Sequence, residues 1–132
     1  MLSPSEVVLF VIYCSNGVIS GITRLQKIIF LLQREMGLGN FIFKPYQFGP
    51  FSMEVKYVVQ SLENQGFLKV EEGSEFSPLQ EHPIKIIRLT SQGLCEAEKI
   101  MGKLDEKTFL KAQILVRYLN RVPLTYLIAY IC

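Results

Sequence analysis

The stretch from Ser52 to Thr90 constrains this chain most, because it spells a helix, a hairpin and the start of a further helix in fixed order. Ser52 suits a helix N-cap, since its hydroxyl oxygen accepts from a free backbone N–H. Val55, Val58, Val59 and Leu62 follow at helical spacing and predict a buried stripe over a helix reaching about Gln65. Gly66 ends that helix. Residues 67–71 and 84–89 then read as two strands joined by a polar loop containing Gly73, Ser74, Ser77, Pro78 and Pro83. Thr90 caps the next helix, whose apolar face is Leu94, Ala97, Ile100, Met101 and Leu104.

The flanking segments extend the pattern. Residues 4–15 predict a largely buried helix, with Ser3 as cap, Pro4 at the first position and Glu6 at the positive end of the dipole. Asn16-Gly17 ends it. A second helix is expected over 23–36, with Leu25, Ile28, Ile29 and Leu32 inward and Arg24, Lys27, Arg34 and Glu35 largely outside. Gly37 and Gly39 stop it. Residues 41–48 read as a short aromatic strand broken by Pro45, and Gly49-Pro50 as a turn. A fifth helix follows Asp105, and a last one starts at Pro123. The order predicts an α+β, mainly helical fold: a winged helix-turn-helix with a β-hairpin wing over 1–104. Residues 105–132 form appended C-terminal helices of the same domain.

With 132 residues, 49% hydrophobic and 20% charged, the chain has enough apolar material for one core, which argues against disorder. Cys14, Cys95 and Cys132 are odd in number and widely spaced. They predict a reducing setting rather than a disulfide framework, with Cys14 and Cys95 in the core and Cys132 exposed. The N-terminus has no basic region of the signal-peptide kind. The uncharged apolar run over 7–14 falls short of the roughly 20 residues that span a bilayer. A cytoplasmic protein without membrane attachment is expected. His82 stands alone, without neighbours at metal-ligand spacing. There is no glycine-rich phosphate loop or nucleophile elbow, so neither a cofactor nor an enzymatic activity is expected.

Two pairs of motifs carry a resemblance to known families. Ser61-Leu62-Glu63-Asn64-Gln65-Gly66-Phe67-Leu68 and Arg88-Leu89-Thr90-Ser91-Gln92-Gly93 resemble the segments that flank the wing in many bacterial and archaeal winged-helix transcription regulators. The residues from Thr23 to Leu32, with Tyr46-Gln47-Phe48-Gly49-Pro50-Phe51-Ser52-Met53-Glu54-Val55, resemble an uncharacterised prokaryotic, often archaeal, winged-helix family. They are also distantly similar to the Panacea antitoxin domain, with its leucine–glutamine–lysine helix and glycine–proline turn. The first resemblance implies DNA binding. The Panacea resemblance implies neutralisation of a toxin-like protein partner.

The first reading is a winged-helix DNA-binding transcription regulator, acting as a homodimer, and the alternative is a protein-interaction module of antitoxin type that neutralises a partner protein without binding DNA. Ser52, Lys56, Tyr57, Gln60 and Asn64 on the third helix are candidates for contacting double-stranded DNA, with Arg24 and Lys27 of the second helix and Lys85 of the wing. Against this stand Glu54 and Glu63 on the same helix and Glu71, Glu72, Glu75 and Glu81 in the wing, because carboxylates oppose a polyanion. The bland reading of these positions is a solvated face. Phe41, Phe43, Tyr46, Phe48, Phe51 and Tyr57 are expected to be core and edge packing rather than a base-stacking platform. The C-terminal helices are apolar on more than one face. Phe109, Leu115, Tyr118, Leu127 and Ile131 are the candidates for a homodimer interface, the alternative being that these helices only close the back of the wing.

Overall fold

The computed structural model describes residues 1–76 and 83–131. The expected positions Ser77, Pro78, Glu81, His82 and Cys132 lie outside them. Helix α1 (Pro4–Cys14) starts in a capping box: Glu6 N–H donates to Ser3 Oγ at 3.2 Å, and Ser3 N–H donates to the Glu6 carboxylate at 2.9 Å. Every residue from 7 to 12 is buried, so this helix is enclosed on all sides. Phe10 is its largest fully buried side chain.

After α1 the chain turns through Asn16 and Gly17, both at positive φ, into a three-residue strand, β1 (Val18–Ser20). The sequence reading missed this strand. Helix α2 (Ile22–Met36) buries Leu25, Ile28, Ile29, Leu31 and Leu32 and ends at Gly37 in the left-handed conformation. Strands β2 (Lys44–Tyr46) and β3 (Gly49–Phe51) form a tight hairpin with Pro45 opposite Pro50. Gly49-Pro50 is therefore a strand start, and the turn lies at Gln47-Phe48. A two-stranded ribbon accepts prolines because each has an outer edge that needs no ladder donor.

Helix α3 (Met53–Asn64) begins at the Ser52 cap and buries Val55, Val59 and Leu62. Strand β4 (Leu68–Phe76) continues through Gly73 and Ser74, expected in a loop, and pairs antiparallel with β5 (Pro83–Leu89). Strand β5 also pairs with β1, so the sheet order is β1-β5-β4. Ile19, Leu68 and Ile87 are its buried residues. Helix α4 (Ser91–Met101) is capped by Thr90, and α5 (Glu106–Arg121) by Asp105. Helix α6 (Leu124–Ile131) ends the described chain. Of the two thiols expected inside, Cys14 is buried but Cys95 is exposed, because α4 turns only its Gly93, Ala97 and Ile100 face inward. Burial pushes the Cys14 thiol up to about 12, a nearby Arg117 pulling the other way. No described helix is long and apolar enough to cross a membrane.

The joint between the hairpin and α4 explains the first pair of motifs. Gly66 sits at φ +85°. Its carbonyl accepts from Thr90 Oγ1 at 2.6 Å, while Thr90 N–H donates to Phe67 O at 3.1 Å. Thr90 Oγ1 in turn accepts from Gly93 N–H at 3.0 Å. Gly93 has no room for a side chain, since a Cβ there would lie 2.0 Å from the Phe67 carbonyl oxygen. These motif residues tie the helix ends to the strand ends.

Candidate interaction surfaces

Helix α2 acts as a template for the chain that follows it. Gln33 holds Phe41 by a two-way bond, donating to its carbonyl at 2.9 Å and accepting from its N–H at 2.7 Å. Gln26, fully buried, does the same for Ser52, with both bonds at 2.9 Å. Lys27 is only 2% exposed, and its ammonium donates to Pro50 O at 2.8 Å. An amide side chain matches one residue's N–H and C=O together, so buried backbone outside helix and sheet is satisfied. The leucine–glutamine–lysine helix and the glycine–proline segment thus touch each other: Gln26 and Lys27 fix the entry into α3.

This overturns three of the expected DNA contacts. Lys27 lies inside, occupied by Pro50. Ser52 is fully buried, its hydroxyl accepting from Val55 N–H at 3.3 Å as the α3 cap. Arg24 is half-buried, and its Nη1 donates to Leu119 O at 2.9 Å and Val122 O at 2.7 Å, carbonyls at the end of α5. There it satisfies groups that a helix end leaves open. Burial holds its guanidinium below the ordinary value. Arg24 and Lys27 were read as exposed because their partners are backbone carbonyls far along the chain, and Ser52, legible as a cap, is buried by the distant Gln26.

The other five candidates are exposed: Lys56, Tyr57, Gln60 and Asn64 on the outer face of α3, and Lys85 on β5. Lys56 and Lys85 line one groove of about 460 Å³, together with Thr23 and Glu72. The cations there are offset: Glu72 stands directly across the ladder from Lys85, and Glu54 is exposed on α3. Glu63 is engaged, accepting from Val70 N–H at 3.1 Å. On the hairpin, Glu71 pairs with Arg88 at 3.4 Å. Of the aromatic set, Phe41 is buried, Phe43 stacks edge-on against Phe30, and Tyr46 leans on Phe51, while Tyr46 and Tyr57 remain exposed.

The C-terminal helices divide the expected interface residues. Leu127 is buried in the core. Phe109 is half-buried with its ring 5.9 Å from that of Phe10, and Leu115 and Ile131 are half-buried against the core. Only Tyr118 of the five stands clear, at 64% exposure. Helix α5 turns Ala112, Val116 and Leu119 inward, and this leaves Leu110, Ile114 and Tyr118 outward one turn apart. Ile114 is 70% exposed, as are Tyr126 and Tyr130 on α6. Between the two helices runs an apolar groove of about 380 Å³ with Leu31, Leu119 and Leu127 among its lining and Tyr118, Tyr126 and Tyr130 beside them. Glu35 is its one charged lining residue. Its neighbour Arg34 pairs with it at 2.9 Å and lies 5.8 Å from the Tyr130 ring centre. The outward residues Leu110, Ile114, Tyr126 and Tyr130 were not singled out for an interface. Their spacing was visible, but which stripe of a doubly apolar helix meets the core depends on α1 and α2.

Among the described residues no group of three His, Cys, Asp or Glu side chains is placed to hold a metal. A comparison with known protein families gives no match for this chain, and neither does one with curated proteins.

Proposed function

We propose that this chain is a winged-helix protein-interaction module of the antitoxin kind, which binds its partner protein through the groove between α5 and α6. The observation that carries this reading is the groove itself, where the exposed Tyr118, Tyr126 and Tyr130 stand around Leu31, Leu119 and Leu127, while Leu110 and Ile114 add exposed apolar surface elsewhere on α5. Tyrosines around an apolar floor are the residue type that dominates binding energy at protein interfaces, where a flat ring is buried at low entropic cost. A groove between two helices suits an amphipathic partner helix that lays its apolar anchors along the floor. The similarity of the α2 and β3–α3 motifs to the Panacea antitoxin domain supports the same class of partner.

The test is co-expression with the product of the adjacent gene, followed by light scattering on the purified material. A complex with the summed mass is expected, and Tyr118→Ser with Tyr126→Ser should release the partner while circular dichroism stays unchanged. A chain that elutes alone, or only as a dimer of itself, would sink the antitoxin reading; the dimer result would replace it by self-association through the same groove.

One observation favours a second reading, a DNA-binding transcription regulator: Lys56, Tyr57, Gln60 and Asn64 share an exposed face of α3, with Lys85 across the groove from Lys56. Loss of Arg24, Lys27 and Ser52 to internal roles leaves few cations for phosphates, so affinity would be low and strongly salt-dependent. Anisotropy with random duplex at about 50 and about 200 mM salt decides it. Binding that collapses with salt supports the regulator, and none at either salt removes it.

A further inference from the structure

A separate cavity of about 520 Å³ lies where the end of α1, the end of β5, the start of α4 and the middle of α5 meet. Its size falls within the range of small-molecule sites, about 300–1,000 Å³. Its walls hold two arginines, Arg88 and Arg117, and no carboxylate. That is a local excess of positive charge in a chain whose totals, 14 basic and 12 acidic residues, nearly balance. Arg117 and Gln113 stand one turn apart on α5, and among the described residues neither side chain has a hydrogen-bond or ion-pair partner. Arg88 pairs with Glu71, its Nε 3.4 Å from that carboxylate, and its side chain stays about half exposed. Tyr13, near the end of α1, and Asn16, just after it, add a hydroxyl and an amide to the lining. Leu94, 43% exposed, adds apolar surface beside them.

We propose that this cavity binds a small phosphate monoester carrying an apolar or aromatic group. A dianion matches two guanidiniums, whose forked donors suit phosphate oxygens, and the remaining donors are amides and hydroxyls. An organic cation would meet two like charges, and a neutral ligand would leave Arg117 without a partner. The apolar surface at Leu94 and the Tyr13 ring take the substituent. This inference goes beyond the protein-interaction reading and does not depend on it.

Phenyl phosphate is the probe, titrated by calorimetry into the full chain at pH 7.5. One saturable site per chain is expected, with affinity at or below about 1 mM. Arg117→Gln should weaken it at least about tenfold, and Arg88→Gln with Arg117→Gln should abolish it. Both arginines are exposed, so the folded state should persist, which circular dichroism checks. The second phosphate charge titrates near pH 6, so affinity should fall between pH 7.5 and 5. Inorganic phosphate should bind more weakly than the ester; equal binding would overturn the apolar part of the assignment. No saturation by about 10 mM, or binding unchanged in the double variant, would overturn the site.

Discussion

The body of the protein and its last two helices use their side chains in opposite ways. In the body, polar groups lie inside: Gln26, Lys27 and Ser52 are buried, and each bonds to backbone that neither helix nor sheet would satisfy. In α5 and α6, apolar groups lie outside, with Ile114, Tyr118, Tyr126 and Tyr130 all more than half exposed. Composition alone would suggest the reverse. The difference teaches that burial follows the number of neighbours. Helix α1 is surrounded by α2, α3, α4, α5 and the sheet, whereas α6 packs mainly against α2 and β3. A side chain deep in the body is held by geometry, and one on the outer face of α5 is held by little.

Substitutions should therefore split cleanly between the regions. The largest loss is expected at Gly93→Ala. The added methyl would sit 2.0 Å from the Phe67 carbonyl oxygen, so α4 must move off the start of β4. Overpacking against backbone of this severity should cost more than about 3 kcal/mol by urea unfolding. A loss under about 1 kcal/mol would mean that the joint is looser than its bonds imply. Gln26→Ala comes next. It strips the Ser52 N–H and C=O of their only side-chain partner in a buried place. A loss of about 2–3 kcal/mol is expected. Gln26→Glu, which keeps the acceptor but loses the donor, should not restore stability.

A smaller effect is expected at the rim of the body, where α1 begins. Ser3→Ala removes half of the capping box and should cost about 1 kcal/mol at neutral pH. The side-chain bond from Lys103, then the Ser3 N–H, hold the Glu6 carboxyl below its ordinary value. A carboxyl depressed in the folded state stabilises above its unfolded pKa and loses that contribution as pH falls through the folded one. Glu6→Gln should therefore be less stable than the parent at pH 7, and the gap should close in acid below pH 4. A gap that stayed constant with pH would point to packing rather than charge.

How much of this was readable beforehand follows the range of each interaction. Helix ends at Ser3, Ser52, Thr90 and Asp105 were legible because a cap bonds within three residues. Strand β1 was not, since three residues carry no period and its partner, β5, lies almost 70 positions away. Gly49-Pro50 looked like a turn by composition, but its register with Pro45 is set by α2 gripping both ends of the segment. The candidate DNA residues fared according to their partners. Lys56, Tyr57, Gln60 and Asn64 were placed by helical period alone and are exposed as expected. Arg24 and Lys27 failed because their carbonyl partners lie about 95 and 23 positions downstream. Of the interface candidates Tyr118 is exposed, while on α5 the two stripes were visible and only the packing of α1 and α2 says that Phe109 faces in and Leu110 out.

The smallest expected effect on stability is the one that tests the comparison most sharply. Ile114→Ser on α5 replaces a side chain that is 70% exposed, so little area returns to water on unfolding and the change should stay within about 0.5 kcal/mol. Val116→Ser, two residues along the same helix and fully buried, should cost several times more, because it places an unpartnered hydroxyl where apolar atoms were packed. Propensity is similar for the two sites, so the ratio reports packing alone. Equal losses would show that Ile114 is already covered, which requires a second copy of the chain at the concentration used; dilution would then separate the two values again. A neutral Ile114→Ser that nonetheless releases the partner protein would show that this face is kept apolar for binding, since nothing in the fold itself needs it.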